Sequence, residues 1–358
     1  MNKQTKTKKI LILFLIFIGI NSYSQDNKEI ALTKAKKAVV LMDEGKLDES
    51  IKILKECQKL DNENFIYPYE IAYAYIQKKE YDTAIKILKK TIKYKNVTSR
   101  VYQTFGNCYD YNNQPEKAIK TYDEGLKKFP NAGNLYLEKG NIYLGKNEYD
   151  KAIENYEKGI KVDPMYPSNY YRLALLFLNS NDKLNGLIYG EIFMNLERTT
   201  KRTKEISELL YQTYTKSIQI NGDKSKIEFC DIIISDKDIK GEEIDLPLCA
   251  IFGKNFILGM LNQKEVNLNS ISDIRISFIK NFYKEDYKKY SNVLFDYNKK
   301  MLDEGVLDAY NHYLLQIGTP KEFKEWKNNN TDKYNKFVEW YTNPDNYLKI
   351  NKENIYIR

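Results

Sequence analysis

An all-α fold, built as a solenoid of stacked helical hairpins, is what this 358-residue sequence predicts. Three observations predict it. Ala38, Ala72, Gly106, Gly140 and Ala174 place a small residue at the same point of a 34-residue stride. Three positions later the same stride carries Leu41, Tyr75, Tyr109, Tyr143 and Phe177. A second small series follows at Ser50, Ala84, Ala118, Ala152 and Gly186. A chain that keeps small and bulky side chains in register over five units repeats one supersecondary element.

The unit reads as two helices. In 133–166, Tyr136, Gly140 and Tyr143 share one helical face at spacings of four and three. Gly140 lets a neighbouring helix approach closely. Asn147 to Asp150 breaks the pattern, and Asp150 suits a helix start. Ala152, Tyr156 and Gly159 then mark the inner face of a second helix, which Pro164 stops. The preceding unit repeats this with Tyr102, Gly106 and Tyr109, then Ala118, Tyr122 and Gly125, then Pro130. Pro115 is tolerated in a first turn, where its missing N–H has no helical partner.

These residues resemble the tetratricopeptide repeat family. Segments 99–132 and 133–166 match its small, aromatic, small, proline pattern nearly throughout. Segments 31–64 and 65–98 match with Asn62 and Asn96 in place of the final proline, and 167–200 is weaker, with Gly186 and Gly190 at two expected positions. The resemblance covers about half of the chain. It implies a right-handed superhelix whose first helices line a concave groove that holds a protein or peptide partner. Side chains offset from the packed face then point into the groove: Tyr69, Tyr73, Arg100, Gln103, Asn107, Asn141, Tyr171 and Arg172. Amides offer a donor and an acceptor to an extended backbone, tyrosines offer flat area, and arginines pair with carboxylates. One group of the family grips C-terminal carboxylates through lysines and asparagines. Asn107 and Asn141 resemble part of that set, but Gln103 and Leu137 stand where its lysines belong.

Before the repeats, Lys3, Lys6, Lys8 and Lys9 precede an apolar run from Ile10 to Ile20, and Ser22 and Ser24 follow at signal-peptidase spacing. Residues 1–24 therefore read as a signal peptide, cleaved after Ser24. The chain is expected to be exported, to the periplasm or medium of a Gram-negative bacterium, with no stable membrane span after cleavage. The formal charge of +8 falls to +4 without those lysines, the balance of a solvated surface. Lys and Glu are interleaved along the repeats, so no basic stripe points to nucleic acid.

Residues 25–220 comprise the five hairpins and a capping helix over 201–220, carrying Ile206, Leu210 and Tyr214. Past 221 the stride is lost, and 221–358 reads as a mostly helical C-terminal domain. The run Ile227 to Ile234 suits strand or helix. Residues 270–304 read as helical, Gly305 and Gly318 bracket a short helix, and Thr319-Pro320-Lys321-Glu322 opens another, with Thr as cap and Glu reaching back.

Catalytic patterns are missing from the sequence: there is no glycine-rich phosphate loop, no Gly-x-Ser-x-Gly and no His-Glu-x-x-His. The single histidine, His312, reads as structural or surface-facing. No cysteine spacing suits a metal, so neither metal nor cofactor is expected. Cys57 and Cys108 read as small buried hydrophobes, whereas Cys230 and Cys249, 19 residues apart, are a possible disulfide or two free thiols. The expected function is an exported adaptor, not an enzyme. Two alternatives stay open: a hydrolase or carbohydrate-acting protein with its active part in 221–358, and a structural subunit of an envelope assembly.

Overall fold

The computed structural model describes residues 25–221, 224–232, 239–240, 243–244 and 246–358. The expected signal segment 1–24 and much of the acidic stretch 235–245 lie outside the described residues. The fold is an all-α solenoid continued by further helices. Two compact units divide it, one ending at Glu148 and the other beginning at Tyr149, so the fourth repeat contributes its first helix to one unit and its second to the other.

The first unit holds α1 (25–43), α2 (Leu47–Leu60), α3 (Ile66–Gln77), α4 (Tyr81–Thr91), α5 (Ser99–Tyr111), α6 (Pro115–Lys128) and α7 (Gly133–Gly145). From α2 onward each helix packs on its successor, and the first helices α3, α5 and α7 also pack on one another in turn. The repeating residues do the packing. Ala72, Ala84, Leu88, Tyr102, Cys108, Ala118 and Tyr122 form one buried cluster, and Ala31, Ala38, Leu54 and Cys57 belong to another. Cys57 and Cys108 are free thiols inside these clusters. Burial pushes the Cys108 thiol up to about 12, so it stays protonated and inert.

Two further series keep the 34-residue stride. Gly45, Lys79, Asn113 and Asn147 all have positive φ, between 55° and 79°. Each follows a first helix, and the next residue's N–H returns to the carbonyl five back, as from Glu80 to Tyr75 and Gln114 to Tyr109. These are Schellman stops. The second series clamps neighbouring repeats: Lys78 Nζ on Asp48 at 2.7 Å, Asn112 Nδ2 on Asp82 at 2.9 Å, and Lys146 Nζ on Glu116 at 2.5 Å. Lysine in the left-handed region carries a Cβ penalty that glycine avoids. Lys79→Gly should therefore raise first-unit stability by about 0.5–1 kcal/mol, and Gly45→Ala should lower it by a similar amount. Urea unfolding followed by circular dichroism checks both signs; a less stable Lys79→Gly would contradict the reading.

The second unit opens with α8 (Tyr149–Val162), α9 (Pro167–Leu178) and α10 (Lys183–Leu196). Next comes α11 (Lys201–Ser217), which packs on α9 and α10 and buries Ile206, Leu210 and Tyr214. Thr200 caps it, accepting from Thr203 N. Beyond it come α12 (Leu248–Met260), α13 (Leu268–Glu285), α14 (Val293–Asp303), α15 (Leu307–Leu315), α16 (Pro320–Asn329) and α17 (Thr331–Thr342). The helical stretch 270–304 is thus two helices. Short antiparallel pairs, β1 (Ile218–Gln219) with β2 (Lys226–Ile227) and β3 (Ile239–Lys240) with β4 (Glu243–Ile244), are the strands among the described residues.

One local expectation is corrected. Thr319 precedes α16 but makes no side-chain cap, and Glu322 does not reach back to it. Gly318 sits where a Cβ would be 2.4 Å from Tyr211 Cβ, so this segment is pressed onto α11. Glu322 then accepts from Tyr211 Oη at 3.2 Å and from the free first-turn N–H of Leu268 at 2.8 Å. Those tertiary donors outcompete the local cap.

Candidate partner-binding face

In the first unit α3, α5 and α7 carry the positions that matter. Polar side chains one stride plus one residue apart meet across adjacent first helices. Tyr69 Oη lies 3.1 Å from Thr104 Oγ1. Ser99 Oγ donates to Asn134 Oδ1 at 3.1 Å, and Asn134 Nδ2 donates to Gln103 Oε1 at 2.9 Å. Gln103 Nε2 donates to Glu138 Oε1 at 2.7 Å, and Asn141 Nδ2 donates to Glu138 Oε2 at 3.0 Å. The ladder fixes these side chains before any partner arrives.

That ladder sorts the residues expected to line a groove. Tyr69, Gln103 and Asn141 are engaged in it. Asn107 accepts from Tyr122 Oη at 2.6 Å, so its acceptor serves a buried hydroxyl of the core rather than a ligand backbone. Tyr73, 43% accessible, and Arg100 remain exposed. Tyr171 and Arg172 belong to the second unit. There Tyr171 Oη donates to Glu205 at 2.6 Å, and the guanidinium carbons of Arg172 and Arg202 lie 6.0 and 4.9 Å from its ring. Burial, then Glu205, pushes the Tyr171 hydroxyl up to about 12.

Four residues join the face that sequence reasoning missed: Glu70, Asp110, Tyr111 and Glu138. Tyr111 is 54% exposed. It takes no part in the repeating core series, and that was its available signal. Partial burial raises the Asp110 carboxyl. Burial also raises that of Glu70, with Arg100 opposing and Asp43 adding to the rise. The Tyr122 hydroxyl is pushed far up, by burial first and then by Glu138 and Asp110, which places both carboxylates near it.

In the second unit Cys230 and Cys249 are joined in a disulfide, Cα atoms 6.3 Å apart. They border an open cleft of about 470 Å3. Asp182 and Asp231 line it, and both carboxylates are engaged by amides, of Asn185 and Asn181 respectively. His312 is buried, stacked on Trp326 with centroids 3.9 Å apart, and its nitrogens face Asp308 O and Asn269 Oδ1. Among the described residues there is no group of three or more His, Cys, Asp or Glu side chains placed to hold a metal. No described helix is long and apolar enough to cross a membrane.

Comparison with known proteins bears on the repeats. The family model described as Tetratricopeptide repeat matches residues 33–64, 69–97 and 99–130, and that described as TPR repeat matches 140–181. No curated protein matches the chain. Similar solved structures include MamA of Desulfovibrio magneticus RS-1, with 19% identity and TM-score 0.37 over 48% of this chain and 97% of that one. PilF of Pseudomonas aeruginosa has 15% identity and TM-score 0.43 over 52% and 84%. A TPR protein of Thermus thermophilus has 15% identity and TM-score 0.42 over 50% and 98%. At identities below a fifth and TM-scores below 0.5, no partner is transferred from them.

Proposed function

We propose that this chain, which is a tetratricopeptide-repeat protein through residues 33–181, is an exported adaptor that binds a polypeptide partner on the first-helix face of its first unit. The repeats are a protein-interaction scaffold. The observation that carries the finer reading is the division of labour on that face. Gln103, Asn134, Glu138 and Asn141 are locked into one ladder, while Tyr73, Arg100 and Tyr111 stay exposed. Tyrosine and arginine on a rigid support are the side chains that most often dominate binding energy. Preorganisation lowers the entropy lost on association.

The test uses the tagged full-length chain and an extract of the source cells. The triple variant Tyr73→Ala, Arg100→Ala, Tyr111→Ala should recover its partner at least about tenfold less well than wild type. Lys86→Ala with Lys89→Ala, on α4, should recover it unchanged. Equal recovery by the triple variant sinks the proposal. Export rests on the lysines and apolar run of residues 3–20. N-terminal sequencing of the mature chain should start at Gln25, and an uncleaved cytosolic chain would overturn that part.

A further inference from the structure

Charge is distributed unevenly over the first unit. Helices α4 and α6 together carry seven lysines against the carboxylates Asp82, Glu116, Asp123 and Glu124, a balance of +3. Helices α3, α5 and α7 carry the carboxylates Glu70, Asp110 and Glu138 against Arg100 and Lys139, and Lys139 Nζ is held 2.7 Å from Asp123 of α6. In a chain of net positive charge, the first-helix face is locally acidic. The same face exposes apolar area: Ile66 is 37%, Tyr73 43% and Tyr111 54% accessible.

The carboxylates are positioned, not merely abundant. Glu138 receives an amide N–H on each oxygen, from Gln103 and Asn141, which fixes its direction. Asp110 lies three residues beyond Asn107 on α5, next to Tyr111, and is exposed, whereas Glu70 and Glu138 are half-buried. A partly desolvated carboxylate gains more from an arriving cation than one in bulk water. Arg100 is the remaining cation of these three helices among the described residues, and it sits near Glu70, which reduces its pull on an anionic partner.

We propose that the segment bound here is cationic: an extended stretch that sets a lysine or arginine against Asp110 and Glu138 and apolar side chains against Ile66, Tyr73 and Tyr111. This rests on the reading that the face docks a polypeptide, and charge complementarity selects the occupant. A carboxylate-bearing tail, the other occupant, meets two carboxylates where it would need cations.

Three fluorescein-labelled dodecapeptides test it. They share alternating tyrosine and leucine, with lysine, glutamine or glutamate at the intervening positions. Fluorescence anisotropy with the full-length chain should show the lysine peptide binding at least about tenfold tighter than the glutamine peptide, and the glutamate peptide weakest. Because the whole protein is cationic, its overall field opposes that order, so the preference reports the face itself. Added salt should narrow the gap. Glu70→Gln, Asp110→Asn and Glu138→Gln together should bring the lysine peptide to the glutamine level, whereas Tyr73→Ala should weaken all three peptides alike. Equal wild-type affinity for the lysine and glutamine peptides would overturn the cationic assignment and leave the docking reading standing. A lysine preference that survives the triple variant also overturns it. Binding of none of the three would overturn both.

Discussion

Arg275→Met should destabilise the second unit by about 3–5 kcal/mol, because it strands a buried carboxylate. Arg275 is 6% exposed and Glu191 2%. Arg275 Nη2 donates to Glu191 Oε1 at 2.8 Å, Nη1 to Tyr214 Oη at 2.6 Å, and Nε to Asn311 Oδ1 at 2.8 Å. One guanidinium thus joins the fifth repeat, the capping helix and the C-terminal helices. Methionine keeps much of the bulk and none of the donors, so three buried acceptors lose a partner together. Glu191→Leu added to Arg275→Met removes the stranded charge and should restore most of the loss. Both tryptophans, Trp326 and Trp340, lie in the second unit, so their fluorescence during urea unfolding reports on it alone. A single-variant loss below about 1 kcal/mol, or no recovery in the double variant, contradicts the assignment.

Gly106→Ala should destabilise the first unit by about 3 kcal/mol, at the upper end of overpacking costs. An added Cβ would lie 2.0 Å from Tyr122 Cε1 and 2.5 Å from Cζ. The ring cannot swing aside cheaply: Tyr122 is 1% exposed and its hydroxyl is held by Asn107. Shortening that side chain should cure the clash, so Gly106→Ala with Tyr122→Leu should be more stable than Gly106→Ala alone. The first unit has no tryptophan, so circular dichroism with amide exchange in α5 and α6 is the readout. A Gly106→Ala variant within about 0.5 kcal/mol of wild type would show that close approach at this position is not what the stride encodes.

The same close approach explains what was legible. Side-chain size repeats in sequence because each hairpin meets its neighbour in the same way, so Ala72, Gly106, Ala84 and Ala118 reveal the hairpins without coordinates. Backbone stops are less legible. Gly45 announces a left-handed residue, but Lys79 occupies the equivalent position and hides it. The polar face was legible by position and not by partnership. Gln103 is bonded to Glu138 and Asn107 turns its oxygen to Tyr122 Oη, and the pairing offset of one stride plus one residue depends on how far adjacent helices slide. That slide is a packing property no periodicity states. Glu322 shows the same limit, since a cap motif fits the local sequence while Leu268 and Tyr211 claim the carboxylate. The Glu191–Arg275 pair lies 84 positions apart and follows no repeat, so nothing short of the fold joins it.

On the proposed reading, the first-helix face of the first unit, and not the outer helices, meets the partner. The most direct measurement is site-specific photocross-linking in the source cells, with benzoylphenylalanine replacing Tyr73 or Tyr111 on that face, or Lys86 on α4. One discrete cross-linked protein is expected from positions 73 and 111 and none of it from position 86. The same adduct from position 86, with none from 73 and 111, would contradict it.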